Sequence, residues 1–219
     1  AETLADYWRF QADDVLIHAL PIFHTHGLFV ALNVTMMAGS SCIFMAGFDA
    51  DAILDYMPRS SVLMGVPTFY VRLLEKDGLA EAARSMRLFV SGSAPLLAET
   101  HHRWSTLTGH AILERYGMTE TNMNTSNPYD AERRPGTVGF PLPGVEVVVT
   151  DPKTGERLPQ NEIGALEVRG PNVFAGYWHM PEKTAAELRE NGFFITGDLG
   201  KVDADGYVHI VGRDKDLII

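Results

Sequence analysis

Residues 86–116 read MRLFVSGSAPLLAETHHRWSTLTGHAILERY, and their pattern predicts the fold class. The apolar run Met86–Gly92 has the length of a strand, the stretch Pro95–Thr108 has the pattern of a helix, and a second apolar run, Ala111–Tyr116, follows. Pro95 suits the first turn of that helix, where a missing N–H costs nothing. Strand–helix–strand alternation predicts parallel strands joined by a crossover helix.

The same alternation continues toward the beginning of the chain. Further strands are predicted at Val15–Leu20, Ser41–Ala46 and Ser61–Val66. Further helices are predicted at Gly27–Ala38, Asp51–Met57 and Pro67–Lys76, the last with a proline in its first turn. We therefore predict an α/β fold over residues 1–130, with a parallel-rich sheet flanked by helices.

The pattern changes from about Gly136 onward. Apolar residues alternate with polar ones in Val145–Val149, and Tyr207–Val211 forms another short apolar run after an Asp-Gly turn. One helix is predicted at Pro181–Glu190. Residues 131–219 are thus predicted to form a smaller β-rich part, with its boundary inside the proline-containing segment Asn127–Pro143.

Composition excludes several classes of partner. The 219 residues carry a net charge of −10 and contain no run of lysine and arginine, which argues against a nucleic-acid surface. The longest apolar stretch, Gly27–Gly39, is too short and too interrupted to span a membrane. The single cysteine, Cys42, forms no internal disulfide and fits a reducing cytoplasm. The composition does not indicate an oligomeric state.

The stretch Tyr116-Gly117-Met118-Thr119-Glu120-Thr121 carries the clearest chemistry. It follows an apolar strand, and Gly117 allows a ligand to approach the backbone closely. The hydroxyl of Thr119 suits a phosphate oxygen, and Glu120 is a hard oxygen ligand of the kind that Mg²⁺ takes. Taken alone, the same residues also fit an ordinary strand-to-loop turn.

Several further motifs accompany this stretch in a fixed order. They are Leu20-Pro-Ile-Phe-His-Thr-His-Gly27, Ser91-Gly-Ser-Ala-Pro95, Gly164-Ala-Leu-Glu-Val-Arg-Gly170, Gly176-Tyr-Trp178, Thr196-Gly-Asp198 and Gly212-Arg-Asp-Lys-Asp216. Together they resemble the core motifs of the adenylate-forming superfamily of acyl-CoA synthetases, luciferases and peptide-synthetase adenylation domains. The resemblance implies part of the large N-terminal domain of that fold, its β-rich part being a distorted barrel, and an enzyme that uses ATP, Mg²⁺ and coenzyme A.

The resemblance also implies roles for individual residues in nucleotide binding. Ser91, Gly92, Ser93, Ala94 and Pro95 would surround the adenine, with Tyr116 and Gly117 against the base. Thr119 would hold the α-phosphate, Glu120 the Mg²⁺, and Asp198 and Arg213 the ribose.

Two functional elements of the superfamily have no match in this sequence. Its glycine-rich phosphate loop is expected upstream of Ala1, and its catalytic lysine downstream of the GRDKD motif. Lys215 resembles the hinge about which the C-terminal domain of the superfamily rotates. We therefore expect the chain alone to be nearly inactive.

The acyl substrate is read from a second set of residues. Stretches such as GVPTFYVRLLE and ERYGMTETNMNTSNPY are similar to those of malonyl-CoA synthetases. By that resemblance Arg72 binds the distal carboxylate of malonate or methylmalonate, His24 lines the acyl pocket, and Met118 and Met123 keep the pocket small. Without it, Arg72 reads as a surface arginine paired with Glu75 or Asp77.

Three alternatives share parts of this pattern. A synthetase for a fatty or aryl acid has the same nucleotide motifs and differs in pocket residues such as Arg72. A second alternative is a non-catalytic nucleotide-binding module, and the presence of Glu120, Asp198 and Arg213 together argues against it, because such a module does not require them. An amino-acid adenylation domain needs an acidic pocket residue, and the candidate pocket stretches offer none apart from Glu120.

Overall fold

The computed structural model describes residues 1–214, which form two units. The first unit comprises Ala1–Arg115 and Asn127–Gly136, and the second comprises Tyr116–Ser126 together with the residues from Thr137 onward. The sequence-based division near residue 130 differs, because it leaves residues 116–126 in the first part. Lys215, the predicted hinge, lies outside the described residues.

The first unit is built on a parallel sheet. Its strands are β1 (Val15–His18), β2 (Ser41–Phe44), β3 (Val62–Gly65), β4 (Leu88–Ser91) and β5 (Leu113–Tyr116), in the order β2-β1-β3-β4-β5. Every neighbouring pair is parallel, with Gly65 opposite Ser91 and Ser91 opposite Glu114. The predicted α/β fold and its five strands are confirmed. The ends of β3, β4 and β5 therefore lie side by side.

Short helices connect these strands. They are α1 (Glu2–Tyr7), a π-helix (His26–Leu32), α2 (Asn33–Met37), α3 (Ala50–Tyr56), α4 (Pro67–Leu73), α5 (Leu79–Ala82) and α6 (Ala98–Thr108), with 3₁₀ segments at Met57–Arg59 and Ala83–Ser85. Pro67 occupies the first turn of α4 as predicted. Pro95 does not begin α6, because the helix starts at Ala98, after the extended N-cap residue Leu97. The loop after β4 is consequently longer than the sequence suggested.

The core of the first unit surrounds Trp104, which is fully buried on α6. Its ring packs edge-on against Tyr70 and Phe89, with centroid distances of 5.0 and 4.9 Å. Strands β3 and β4 are buried along their whole length, which explains why they read as continuous apolar runs.

The second unit is dominated by antiparallel strands. They are β6 (Thr125–Ser126), β7 (Phe140–Pro141), β8 (Glu146–Thr150), β9 (Gly164–Arg169), β10 (Phe194–Val202) and β11 (Val208–Arg213), with α7 at Pro181–Glu187. Strands β6 and β7 pair with each other, and the other four form a sheet in the order β11-β10-β9-β8. The predicted β-rich part is confirmed, although β10 was not among the predicted strands.

No helix within residues 1–214 combines the length and the apolar composition required to cross a membrane. The longest, α6, has eleven residues.

Candidate functional site

A buried carboxylate in the second unit links two of the predicted nucleotide residues. The Tyr116 hydroxyl donates a hydrogen bond to Asp198 Oδ2, and Arg213 Nε lies 2.9 Å from Asp198 Oδ1. Asp198 is buried, whereas the Arg213 side chain is 55% exposed. Tyr116, Asp198 and Arg213 are thus brought together from positions far apart in the sequence.

An irregularity in β10 sets the position of Asp198. The pairing of β10 with β9 shifts register between Ile195 and Leu199, and Gly197 within that interval has a φ of 74°. Such a bulge redirects the side chains that follow it. Thr196 anchors the segment, because its hydroxyl donates to the Leu166 carbonyl and accepts from the Asp198 N–H.

Burial raises the pKa of the Asp198 carboxyl, although the Tyr116 hydrogen bond and the Arg213 charge act in the opposite direction. Burial and the neighbouring Asp198 also raise the pKa of Tyr116, so that this phenol stays protonated and serves as a donor. Both oxygens of Asp198 are therefore oriented by donors, as a carboxylate that binds two hydroxyls requires.

Gly117 has a structural role that the sequence did not reveal. A Cβ at this position would lie 2.9 Å from the carbonyl carbon of Asn122 and even closer to its oxygen. The Asn124 N–H donates to the Tyr116 carbonyl and closes the same loop. The close backbone approach at Gly117 is thus made by residue 122, and the predicted contact with adenine remains a prediction.

Glu120 opens onto a cleft of about 570 Å³ within the second unit. The cleft is lined by Met118, Glu120, Tyr177, Lys183, Glu187, Phe194, Ile195, Thr196, Gly197, Arg213 and Asp214. It contains three carboxylates (Glu120, Glu187 and Asp214), two cationic side chains and part of β10. Charged groups of both signs suit a phosphorylated ligand that arrives with a metal ion.

The donor set fits Mg²⁺ in one specific way. Within residues 1–214, no three histidine, cysteine, aspartate or glutamate side chains form a group that holds a metal by themselves. Mg²⁺ is commonly bound by one or two carboxylates together with substrate phosphates. Glu120 supplies a carboxylate of this kind, and its Oε1 lies 3.1 Å from the Tyr177 hydroxyl.

The first unit contains a buried cation. The Arg115 side chain, near the end of β5, is 4% exposed, and its Nε and Nη2 have no hydrogen-bond partner among the described residues. Burial lowers the pKa of Arg115 to about 10, which leaves the guanidinium charged at neutral pH. Burying an unpaired charge costs several kcal/mol, roughly. Such a group suits an anionic ligand.

Gly92 makes room for this guanidinium. A Cβ at Gly92 would lie 2.7 Å from Arg115 Nη1. The face of Gly92 where a side chain would lie is therefore covered by Arg115 from the neighbouring strand. The predicted contact of Gly92 with adenine remains a prediction.

Further buried polar atoms share this end of the sheet. Ser91 Oγ, His26 Nε2 and His18 Nδ1 have no hydrogen-bond partner in the part of the chain that the structure describes. His26 Nδ1 lies 3.2 Å from Ser93 Oγ, and Ser93 has a φ of 68°, in the left-handed region. Burial and the charge on Arg115 hold the pKa of His26 well below its usual range, so that its imidazole is neutral.

Two residues that were predicted to bind the acyl substrate, His24 and Arg72, are exposed. His24 is exposed and lies against Phe23, whereas its neighbour His26 is the buried histidine of this motif. Arg72 is exposed on α4, with its guanidinium 4.7 Å from the centre of the Phe48 ring. The alternative interpretation offered Glu75 or Asp77 as its ion-pair partner, and Glu75 instead lies 3.9 Å from Arg103.

The remaining predicted residues fall into both units. Met118 lines the cleft of the second unit, while Met123 is buried in the same unit. Ala94 and Pro95 are exposed in the loop that follows β4. Thr119 is exposed beside Glu120.

Arg115, His26, Tyr177 and Glu187 had no predicted role. The sequence signal for Arg115 was a basic residue inside the short strand Leu113–Tyr116. A charged side chain is rarely buried in a strand unless it is paired with another group or a ligand. Tyr177 stood in a quoted motif, but its contact with Glu120 spans 57 residues and has no local signature.

The chain is similar to several known proteins. A family model described as AMP-binding enzyme matches residues 1–178. A malonate–CoA ligase of Arabidopsis thaliana is 39% identical over 97% of this chain. The crystal structure of ATP-bound MatB from Rhodopseudomonas palustris superposes with a TM-score of 0.98 at 68% identity over the whole chain. A malonyl-CoA ligase with methylmalonyl-CoA and AMP bound matches with a TM-score of 0.88 at 44% identity over 97% of the chain.

The chain spans less than half of each of these proteins. It covers 38% of the Arabidopsis ligase, 44% of the MatB chain and 46% of the malonyl-CoA ligase chain.

Proposed function

Because this chain belongs to the family of AMP-binding enzymes, we propose that it forms the acyl- and nucleotide-binding part of an ATP-dependent, AMP-forming malonate–CoA ligase. The observation that carries the proposal is the buried guanidinium of Arg115, whose Nε and Nη2 have no partner among the described residues. A dicarboxylate supplies one carboxylate for reaction and a second for this cation.

Malonate suits this cation better than a fatty acid does. A fatty or aryl chain would leave the Arg115 donors unsatisfied, and an unpaired buried charge is strongly unfavourable. His26 and Ser91 contribute further buried polar atoms, which a carboxylate satisfies better than an alkyl chain. Arg72, the arginine chosen from the sequence, is a second candidate for the same carboxylate.

The reaction has two steps. A carboxylate oxygen of malonate attacks the α-phosphorus of ATP, the bond to the β-phosphate bridge breaks, and pyrophosphate leaves. The thiol of coenzyme A then attacks the carbonyl of malonyl-adenylate, loses its proton and displaces AMP. In the first step two anions approach each other, so the residues act mainly by positioning groups and neutralising charge.

The nucleotide residues have separate tasks within this scheme. Asp198 accepts from the ribose hydroxyls while Tyr116 and Arg213 hold its oxygens in place. Thr119 binds the α-phosphate, and Ser91–Pro95 borders the adenine. Glu120 holds the Mg²⁺, which neutralises phosphate charge when it is bound. His24 borders the reacting carboxylate, and Met118 and Met123 limit the size of the acyl group, which includes methylmalonyl.

The proposed enzyme uses coenzyme A and Mg²⁺ together with ATP and malonate. Cys42 is a free thiol, and we assign the protein to a reducing compartment, the cytoplasm.

The experiment is a substrate panel with the complete protein. Malonate, succinate, acetate and octanoate are each incubated with ATP, Mg²⁺ and coenzyme A, and products are identified by mass spectrometry. We expect malonyl-AMP and malonyl-CoA to dominate. Preferential formation of octanoyl-CoA would replace malonate with a fatty acid as the substrate.

A further inference from the structure

The Tyr177 hydroxyl lies between two carboxylates of the second unit. Its oxygen is 2.6 Å from Glu187 Oε2 and 3.1 Å from Glu120 Oε1. A phenol has one proton and therefore donates fully to one acceptor at a time. Both contacts have hydrogen-bond geometry, so the phenol proton is shared between Glu187 and Glu120 and the hydroxyl fixes the position of Glu120 Oε1. A carboxylate that accepts one such bond keeps further lone pairs for another ligand.

The ring of Tyr177 is fixed from several sides. Its own N–H donates to the Thr184 hydroxyl at 2.9 Å, and its ring packs edge-on against Phe174 at 4.8 Å. Lys183 Nζ lies 4.0 Å from the ring centre, in a cation–π contact. The Phe174 N–H donates to the Glu120 carbonyl at 2.8 Å, which ties the same packing to the backbone of residue 120.

Glu187 and Lys183 come from the same short helix, α7. Both line the cleft that contains Glu120. The helix thus brings a negative charge to the far side of the Tyr177 hydroxyl and a positive charge over its ring. Neither residue was assigned a role from the sequence.

We propose that Tyr177 and Glu187 are positioning residues that hold the Glu120 carboxylate in the orientation in which it binds the divalent cation accompanying ATP. This inference rests on the proposed function, since the metal-binding role of Glu120 comes from there.

Two physical effects support the role. Glutamate has three rotatable side-chain bonds, and a contact with a fixed phenol removes part of the entropy cost of ordering the carboxylate before the cation arrives. Glu187 adds a second negative charge to the cleft, and a cation bound at Glu120 relieves the repulsion between the two carboxylates. Partners of metal-binding carboxylates act in this way in other proteins.

The test measures binding, without turnover. The dissociation constant of a non-hydrolysable methylene analogue of ATP is measured by calorimetry with the complete protein, once with Mg²⁺ and once with EDTA. The ratio of the two constants reports the contribution of the cation. We expect Tyr177→Phe and Glu187→Gln each to reduce this ratio about 10-fold, with the constant in EDTA changing by about twofold or less.

Glu182→Gln is the matched control, because it removes the same charge from an exposed position of the same helix. We expect its ratio to equal that of the wild type. Glu120→Gln is the reference and should abolish the Mg²⁺ effect.

The outcomes separate the two proposals. If Glu120→Gln abolishes the Mg²⁺ effect while Tyr177→Phe and Glu187→Gln retain it, the positioning role is wrong and the proposed function stands. If Glu120→Gln also retains the effect, the metal-binding assignment of Glu120 is wrong and the positioning role falls with it.

Discussion

The guanidinium of Arg115 fills the space that a side chain at position 92 would need, so only glycine fits at this position. The guanidinium of Arg115 on β5 lies where a Cβ at position 92, just after β4, would point. The contact places a buried cation at the ends of two adjacent parallel strands. In α/β sheets this edge is where ligands generally bind.

We expect Gly92→Ala to displace Arg115. Overpacking of this kind costs about 1–3 kcal/mol, and the shifted guanidinium should raise the KM for malonate. Chemical denaturation and malonate kinetics of the complete protein measure both effects. Gly47→Ala is the control, because a Cβ there meets no atom within 4 Å. Equal effects of the two substitutions would disprove the proposed packing conflict.

We expect the buried Arg115 to lower the free energy of unfolding when no substrate is bound. Replacing an unpaired buried charge by an apolar side chain of similar length removes a desolvation penalty, so Arg115→Met should leave the free energy of unfolding unchanged or raise it. Arg87→Met is the contrast, because Arg87 donates to the buried Asp14 at 2.7 Å. Breaking that pair should cost about 3 kcal/mol. Denaturant titration of both variants checks the comparison, and a large loss for Arg115→Met would contradict it.

Acid should destabilise the protein through His26. The folded state holds the pKa of this imidazole well below its usual range through burial and the charge of Arg115. The unfolded state therefore binds the extra proton first, and the contribution to stability is present above about pH 6.5 and lost as the pH falls. Between pH 7.5 and 5.5, wild type should lose about 1.4 kcal/mol more than His26→Gln.

Denaturant titrations at the two pH values provide this difference. His102→Gln, at an exposed position of α6, should behave like the wild type. If wild type and His26→Gln lose the same free energy of unfolding between the two pH values, groups other than His26 cause the acid sensitivity.

The Tyr116 hydroxyl should matter for ribose recognition. Tyr116→Phe leaves Asp198 oriented by Arg213 alone, and loss of a hydrogen bond to a charged group costs about 1.5–3 kcal/mol. We expect the KM for ATP to rise about 10-fold, with a smaller change for 2′-deoxy-ATP. Steady-state kinetics with both nucleotides test this, and Tyr56→Phe in the first unit is the control. An unchanged preference for ATP would exclude the role.

The sequence predicted the centre of the parallel sheet well because β3 and β4 are buried on both faces. Val62–Gly65 and Leu88–Ser91 have no exposed residue, so each appears as an uninterrupted apolar run. Strand β10 escaped prediction because Gly197 and Gly200 interrupt its pattern at the bulge. The π-helical form of His26–Leu32 was also missed, since its hydrogen bonding has no simple composition signal.

The candidate site was predictable only in part. The ordered motifs identified Tyr116, Glu120, Asp198 and Arg213 by resemblance. The hydrogen bond between Tyr116 and Asp198 joins residues 82 positions apart and depends on the tertiary fold. The resemblance drew attention to Arg72, whereas the burial of Arg115 becomes visible only when β4 and β5 are paired.

The kinetics of Arg115→Gln with malonate and with propionate measure whether Arg115 binds the second carboxylate of malonate. Propionate has one carboxylate and a similar size, so it serves as the internal control, and Arg84→Gln, at an exposed arginine paired with Glu81, serves as the variant control. The complete protein with Arg115→Gln should lose about 100-fold in kcat/KM for malonate, since the loss of a buried charge-assisted pair costs 2–5 kcal/mol, roughly. Its kcat/KM for propionate should stay within about threefold. Unchanged malonate kinetics, or an equal loss with both acids, would contradict the assignment of Arg115 to the second carboxylate.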